Sequence, residues 1–413
     1  MTVMSLTDPP SEAPACGRSP SRTLVEAAAA VSEKIARHAP QREAQRQLPF
    51  EAIDVIRQSG IMNIRIPARW GGPEGSISDL MRIVVHVATA DSNVMQALLY
   101  HLLFIERMRL MATPAQCQRY LPQALEGKLF GGADSERGGQ FRGDIQTRLH
   151  RQGERYILQG VKHYSTGALF CDLLKIRALN DEGQAVSVVI PADRLGVTRL
   201  DDWDGMGQCL TASGTTLLEQ VEVFPDEIVH DAIWATQRHH TGTLSQLIHA
   251  AIDAGIALAA LQDAVQIGRT ARPLKESGVD RASEDPYVLS VIGRISAHAR
   301  AAEAMVHRAA LQLDLAADAR FGAEASLAEV ERLAAEAAVV TAEAKAVTSE
   351  VSIQVSQWLF DAGGASAALR QHNHDRHWRN ARTHTLHDPV AYKYKAVGNY
   401  LLNGQYPPVS YTY

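Results

Sequence analysis

The sequence predicts an α+β protein in three parts: an N-terminal helical domain, a middle antiparallel β domain and a C-terminal four-helix bundle. Two observations predict it. Apolar residues recur at helical spacing over 22–127 and again, in long Ala-rich runs, over 237–413. Between them, 128–236 breaks into short β-branched-rich stretches separated by Gly, Asn or Asp, the pattern of antiparallel strands in a barrel or sandwich. At 413 residues the chain is too long for one simple core, which suits such a division.

The elements follow in order. Residues 1–21, "MTVMSLTDPPSEAPACGRSPS", are Pro/Ser-rich and lack the basic-then-apolar pattern of a signal sequence, so a disordered leader is expected. "TLVEAAAAVSEKIARHA" and "FEAIDVIRQSG" read as helices, and "DLMRIVVHVATADSNVMQALLYHLLFIERMRLM" as two more, broken around Asp91–Ser92. "RYILQGVKHYSTGA", "DLLKIRAL", "AVSVVIPA", "GVTRL" and "TTLLEQVEVF" read as strands. "TGTLSQLIHAAIDAGIALAALQDAVQIGRTA" spans about eight helical turns. The run beginning "SLAEVERLAAEAAVV" stops at Gly363–Gly364, as a helix C-terminus should. Small residues on helices this long imply close packing in a bundle.

A net charge of −5 argues against a dedicated nucleic-acid or anionic-membrane binder, which needs a clustered basic surface. No uninterrupted apolar run reaches the roughly 20 residues of a bilayer span. Cys16, Cys117, Cys171 and Cys209 are too dispersed for a zinc site or a disulfide framework, so reduced thiols in a cytoplasmic protein are expected.

Four segments then carry a resemblance: "GGADSERGG", "GVKHYSTGA", "GMGQCLTASGTTLLEQVEV" and "FDAGGASA". In this order, on elements of these types, they resemble the acyl-CoA dehydrogenase superfamily over residues 22–405. "DDWDGMGQ", "RHWRNARTHTLHDPV" and "VGNYLLNGQYP" are similar to its monooxygenase branch, the sulfur-acquisition oxidoreductases and dibenzothiophene monooxygenases. The resemblance implies an acyl-CoA dehydrogenase-like fold and a two-component enzyme. An NAD(P)H-dependent flavin reductase, a transient partner, supplies reduced FMN. With O2 a C4a-(hydro)peroxyflavin then oxygenates a small apolar organosulfur compound, or another heteroatom or aromatic compound. It also implies a homotetramer. An FAD-dependent acyl-CoA dehydrogenase, and an N-hydroxylase or aromatic hydroxylase, are the alternatives.

A flavin site needs donors for the ring edge, an apolar wall and cations for the phosphate. By resemblance Thr166 faces N5, Tyr164 and Trp203 line the ring, Ala133, Ser135 and Glu136 lie on a flavin-facing strand, and Ser213 and Arg272 meet the phosphate, with Arg269 in reserve. Tyr164 is expected on the same strand face as Thr166, two residues on. Each has a plainer reading as a turn hydroxyl, core aromatic or helix-end cation.

His384 and His387 stand at i and i+3, a spacing that turns both imidazoles to one side of a helix. Histidine titrates in the range where a peroxide must be protonated, so His387 is assigned proton delivery and His384 the flavin edge. A metal pair completed by Asp388 lacks any further ligand cluster. Arg379 and Arg382 read as salt-bridge residues. Asp388 takes the place of the dehydrogenase glutamate but is one methylene shorter and is followed by Pro389, which disfavours proton abstraction from an acyl-CoA. Tyr100 and His101, in an apolar helix, are assigned by resemblance to the substrate chamber. Where the monooxygenases carry an asparagine, this chain has Gly132.

Overall fold

The computed structural model describes residues 20–141, 143–231, 237–410 and 412–413. The leader lies outside them except for Pro20 and Ser21, which open the first helix. The N-terminal part is helical: α1 (Pro20–Ala36), α2 (Ala39–Ala44), α3 (Phe50–Ser59), α4 (Ile77–Ala90), α5 (Ser92–Met111) and α6 (Pro114–Leu125). The break between α4 and α5 falls at Asp91, whose Oδ1 accepts from the backbone N–H groups of Asn93 and Val94 and so caps α5. Its other oxygen holds Arg42 at 3.0 Å.

The middle part is a single sheet of β1 (Phe130–Ala133), β2 (Arg148–Gln152), β3 (Arg155–Lys162), β4 (Leu173–Leu179), β5 (Ala185–Pro191), β6 (Val197–Arg199), β7 (Thr216–Val223) and β8 (Ile228–Val229). Its order is β6–β7–β3–β2–β4–β5–β8, with β1 on β4. The sheet is mixed rather than wholly antiparallel, because β1 pairs parallel to β4, Phe130 opposite Leu173. A parallel pair needs a long crossover, and here the β2–β3 hairpin supplies it.

The C-terminal part contributes three long helices, α7 (His240–Thr270), α8 (Pro286–Phe321) and α9 (Leu327–Trp358). The shorter α10 (Arg376–His384) and α11 (Ala391–Asn403) both pack on α9. By length and composition α7 could cross a membrane, contrary to the expectation from uninterrupted runs, but 89% of its most apolar window is buried inside the protein. That apolarity belongs to the core. Ala250, Ala251, Ala254, Ala257 and Ala260 of α7 are fully buried, and a β-carbon at Gly255 would strike Ala88 of α4. Asp314 of α8 accepts from the N–H groups of Ile77 and Ser78, tying the start of α4 to the bundle. The first halves of α5 and α7, the end of α10 and the loops of the sheet therefore converge in one region.

Candidate active site

The loop between β6 and β7 is pinned from both sides. Trp203 donates its indole N–H to the carbonyl of Gln208 at 2.8 Å. Gln208, held at φ +51°, donates its backbone N–H to Asn380 of α10 at 2.6 Å and its amide to Ser92 at 3.0 Å. Leu210 N–H donates to Asn93 Oδ1 at 3.1 Å. A side chain at Gly207 would collide with the backbone of Arg379, so α10 can seat here only over glycine.

Beyond this loop a chain of hydroxyls forms. Thr166 Oγ1 lies 2.8 Å from Ser213 Oγ, which lies 2.7 Å from Thr211 Oγ1. The hydroxyls assigned to opposite ends of the flavin, Thr166 at N5 and Ser213 at the phosphate, are thus hydrogen-bond partners at one place. Gly167, at φ +76°, closes the turn where a β-carbon would overlap the carbonyl of Ala97. Tyr164 is not on a strand face with Thr166. The strand β3 ends at Lys162, and Tyr164 sits at φ +57° in the turn after it. It is 47% exposed, meets Trp203 edge-on at 6.1 Å and carries the Arg137 guanidinium 5.0 Å from its ring.

Facing α5, the end of α10 and the loop after it form a histidine cluster. His384 and His387 both turn toward His249, but in different settings: His384 closes α10 and is buried, while His387 lies beyond the helix with its side chain 45% exposed. Between them stands His249 of α7, 1% exposed. Its ring lies tilted against His387 at 4.1 Å and 31°, and its Nδ1 lies 3.0 Å from His384 Nε2. His384 Nδ1 lies 2.6 Å from Asp253 Oδ1, and its Nε2 is also 3.2 Å from Gln96 Oε1. Asp253 Oδ2 accepts from Lys345 at 2.7 Å and from Ser349 at 3.1 Å. Burial would raise the Asp253 carboxyl, but Lys345 and His384 outweigh it and bring it down to about 2. Burial, with His387 and His384 adjacent, pushes His249 well below the ordinary histidine range. His384 is lowered by burial against the pull of Asp253. With both nitrogens engaged, His384 does not offer a free edge to a flavin.

Asp388 is 4% exposed. Its Oδ2 lies 3.0 Å from His387 Nδ1 and accepts from Gln246 at 2.8 Å. Burial works to raise this carboxyl, and His387 and Gln246 hold it below its usual range. His249, Asp253, Gln246, Lys345 and Gln96 were not singled out in the sequence. Gln246, His249 and Asp253 share one α7 face at i, i+3 and i+7, a polar stripe on an otherwise apolar helix that could have flagged them.

Tyr100 and His101 point to different places. A β-carbon at Gly132 would fall inside the Tyr100 ring, so the tyrosine occupies the space of a side chain at 132; burial pushes its phenol above the ordinary range. His101 is a core residue, a correction to its assignment to the substrate chamber. Its Nδ1 accepts from Phe130 N–H at 3.3 Å and its Nε2 lies 3.0 Å from Asn63 Oδ1. Ser135 is exposed, and its carbonyl accepts from His163 N–H at 2.9 Å. Glu136 is held by Lys162 and Thr147, a structural pairing. Arg379 bridges Glu43 and Asp375 as expected, whereas Arg382 makes no ion pair among the described residues. Arg272 is exposed beyond the end of α7, about 30 Å along that helix from His249. One chain does not bring it to the other candidates.

Comparison with known proteins places this arrangement. The acyl-CoA dehydrogenase N-terminal domain family matches residues 22–128 and the acyl-CoA dehydrogenase C-terminal domain family residues 247–391, together over half the chain. A dibenzothiophene monooxygenase of Mycolicibacterium goodii is 33% identical over 371 residues, 86% of this chain and 88% of that one. The chain belongs to the acyl-CoA dehydrogenase superfamily, in its monooxygenase branch. A probable FMNH2-dependent monooxygenase, SfnC, of Pseudomonas putida is 29% identical over 95% of this superfamily member and 98% of its own length. The FMN-bound crystal structure of TdsC from Paenibacillus sp. A11-2 superimposes with a TM-score of 0.87 at 30% identity, covering 95% of this chain and all of that one.

The residues present fit a flavin. Tyr164 and Trp203 offer an open aromatic wall beside the hydroxyl chain. Ser165 Oγ and Gln208 Oε1, buried in the same two loops, have no hydrogen-bond partner among the described residues.

Proposed function

We propose that the protein is a two-component FMNH2-dependent monooxygenase that acts on a small apolar organosulfur compound through a C4a-(hydro)peroxyflavin. The coarser statement, a flavin-dependent monooxygenase of organosulfur compounds, rests on its whole-length similarity to dibenzothiophene monooxygenase and SfnC. Bound reduced FMN supplies the centre that activates O2. An NAD(P)H-dependent reductase delivers it, and in a homotetramer Arg272 of a neighbouring subunit meets its phosphate.

This chain's own residues bind, shield and manage protons. Thr166, at the end of the hydroxyl chain, donates to the ring edge, with Ser213 behind it. Tyr164 and Trp203 exclude water from it. His387, with Nδ1 facing the Asp388 carboxylate, uses Nε2 to deliver the proton. The observation that carries the reading is this His387–Asp388 pair at the mouth of a buried imidazole cluster. The same observation weighs against a dehydrogenase. A base for an acyl-CoA α-proton needs a free carboxylate, and Asp388 is committed to His387 and Gln246, Asp253 to Lys345 and His384.

Stopped-flow mixing of the protein and reduced FMN with oxygenated buffer tests it. A persistent absorbance band between those of reduced and oxidised flavin, followed by product from a sulfide, sulfoxide or thiophene panel, is expected. Plain reoxidation without an adduct, together with bleaching of bound flavin by an acyl-CoA, overturns it.

A further inference from the structure

His249 is the one member of the cluster to which nothing above gives a role. It touches both other imidazoles of the cluster, is 1% exposed, and turns its Nδ1 to His384. The geometry restricts where protons sit. Asp253, an anion paired with Lys345, keeps a proton on His384 Nδ1 at 2.6 Å. His384 Nε2 then shares one hydrogen with His249 Nδ1, 3.0 Å away. While His384 is neutral, that hydrogen belongs to His249, whose Nε2 is then an acceptor. Once His384 is charged, the hydrogen belongs to His384, with the Gln96 carbonyl at 3.2 Å as a second acceptor. His249 must then carry its own hydrogen on Nε2.

We propose that His249 is a tautomer switch: its proton sits on Nδ1 while His384 is neutral and on Nε2 once His384 is charged, so that its Nε2 becomes a donor only when the buried Asp253–His384 pair is loaded. The proton balance closes. One proton enters at His249 Nε2 as one passes from His249 Nδ1 to His384 Nε2, and the reverse returns it, with His249 neutral at both ends. The groups around the ring decide where the charge goes. Burial and His387, His384, Lys345 of α9 and Lys393 of α11 oppose a charge on His249 itself, while on His384 burial, Lys345 and His387 are countered by Asp253, which draws the second proton there rather than to His249. The tilted ring contact packs His249 against His387, which makes His249 a positioning residue for the proposed proton donor; this relevance to catalysis rests on the proposed function.

The test is independent of turnover. Nitrogen-15 NMR of the histidine rings in the flavin-free protein, across a pH titration, reads each tautomer directly. His249 should exchange from the Nδ1–H to the Nε2–H form over the same pH interval in which His384 takes up its second proton. A single His249 tautomer throughout overturns the proposal. Two variants separate the contacts: His249→Phe keeps the ring contact without the nitrogens, and His249→Asn keeps a hydrogen bond to His384 without the second nitrogen. Each should lower kcat about tenfold or more with KM and FMN affinity within twofold, and should change the shape of the kcat–pH profile. Unchanged kcat and profile in both overturn it, as does a loss of kcat with the wild-type pH profile, which would mark a packing role alone. If the wild type forms no product, the NMR exchange still decides the switch while the proposed function alone fails.

Discussion

His101 on α5 and His249 on α7 are the same residue type, both 1% exposed, both on long apolar helices, yet they do opposite things. His101 has a partner on each nitrogen, a backbone N–H on one side and the Asn63 carbonyl on the other, and Asn63 is itself fixed by donating to Ala124 at 2.8 Å. Burial, with Arg57 nearby, lowers it to about 4, so it is a neutral core group. His249 instead faces two more imidazoles, each backed by a carboxylate. Burial does not separate a structural histidine from a functional one; what lies on its second nitrogen does.

The contrast is sharpest at His387. His387→Ala should lower product formation about 10²–10⁴-fold while FMN binding, followed by fluorescence titration, stays within twofold; normal turnover would break the comparison. Next, Asp253→Ala leaves Lys345 buried without its carboxylate and should cost about 3–5 kcal/mol in urea unfolding. A pH series then probes the core histidine. Its pKa falls from 6.5 unfolded to about 4 folded, so the unfolded chain binds more protons between those values. Stability is full above pH 6.5 and declines by roughly 3 kcal/mol as pH drops to about 4. The smallest effect is His101→Leu. It orphans Phe130 N–H and Asn63 and should lose about 1–3 kcal/mol, flatten that acid decline, and leave the kcat–pH profile of the folded enzyme unchanged.

Much of the fold was legible because its signals are local. The Asp91 break is a helix cap, the stop at Gly363–Gly364 a helix end, and the middle region alternates as strands do. The parallel seating of β1 on β4 was not legible, since it depends on where a crossover lands. In the site, Thr166, Ser213 and Trp203 do gather around one loop pair, but Tyr164 was placed by a strand period that ends two residues earlier. His249 and Asp253 stayed hidden because their polar stripe is narrow on an otherwise apolar α7, and a lone histidine on such a helix reads as core, which is correct for His101. Arg272 was visible by residue type, yet its remoteness within one chain depends on the full length of α7.

The ring of Tyr100 over Gly132 has a consequence for how this enzyme can change. The two positions are coupled: a side chain can enter at 132 only if the one at 100 moves aside or is shortened. A library that randomises residue 132 alone should return glycine, whereas one that first frees position 100 gains access to amides and hydroxyls on β1. Changes at this wall are therefore reached in two steps taken in one order, and the intermediate is a chain with an empty space where the phenol stood.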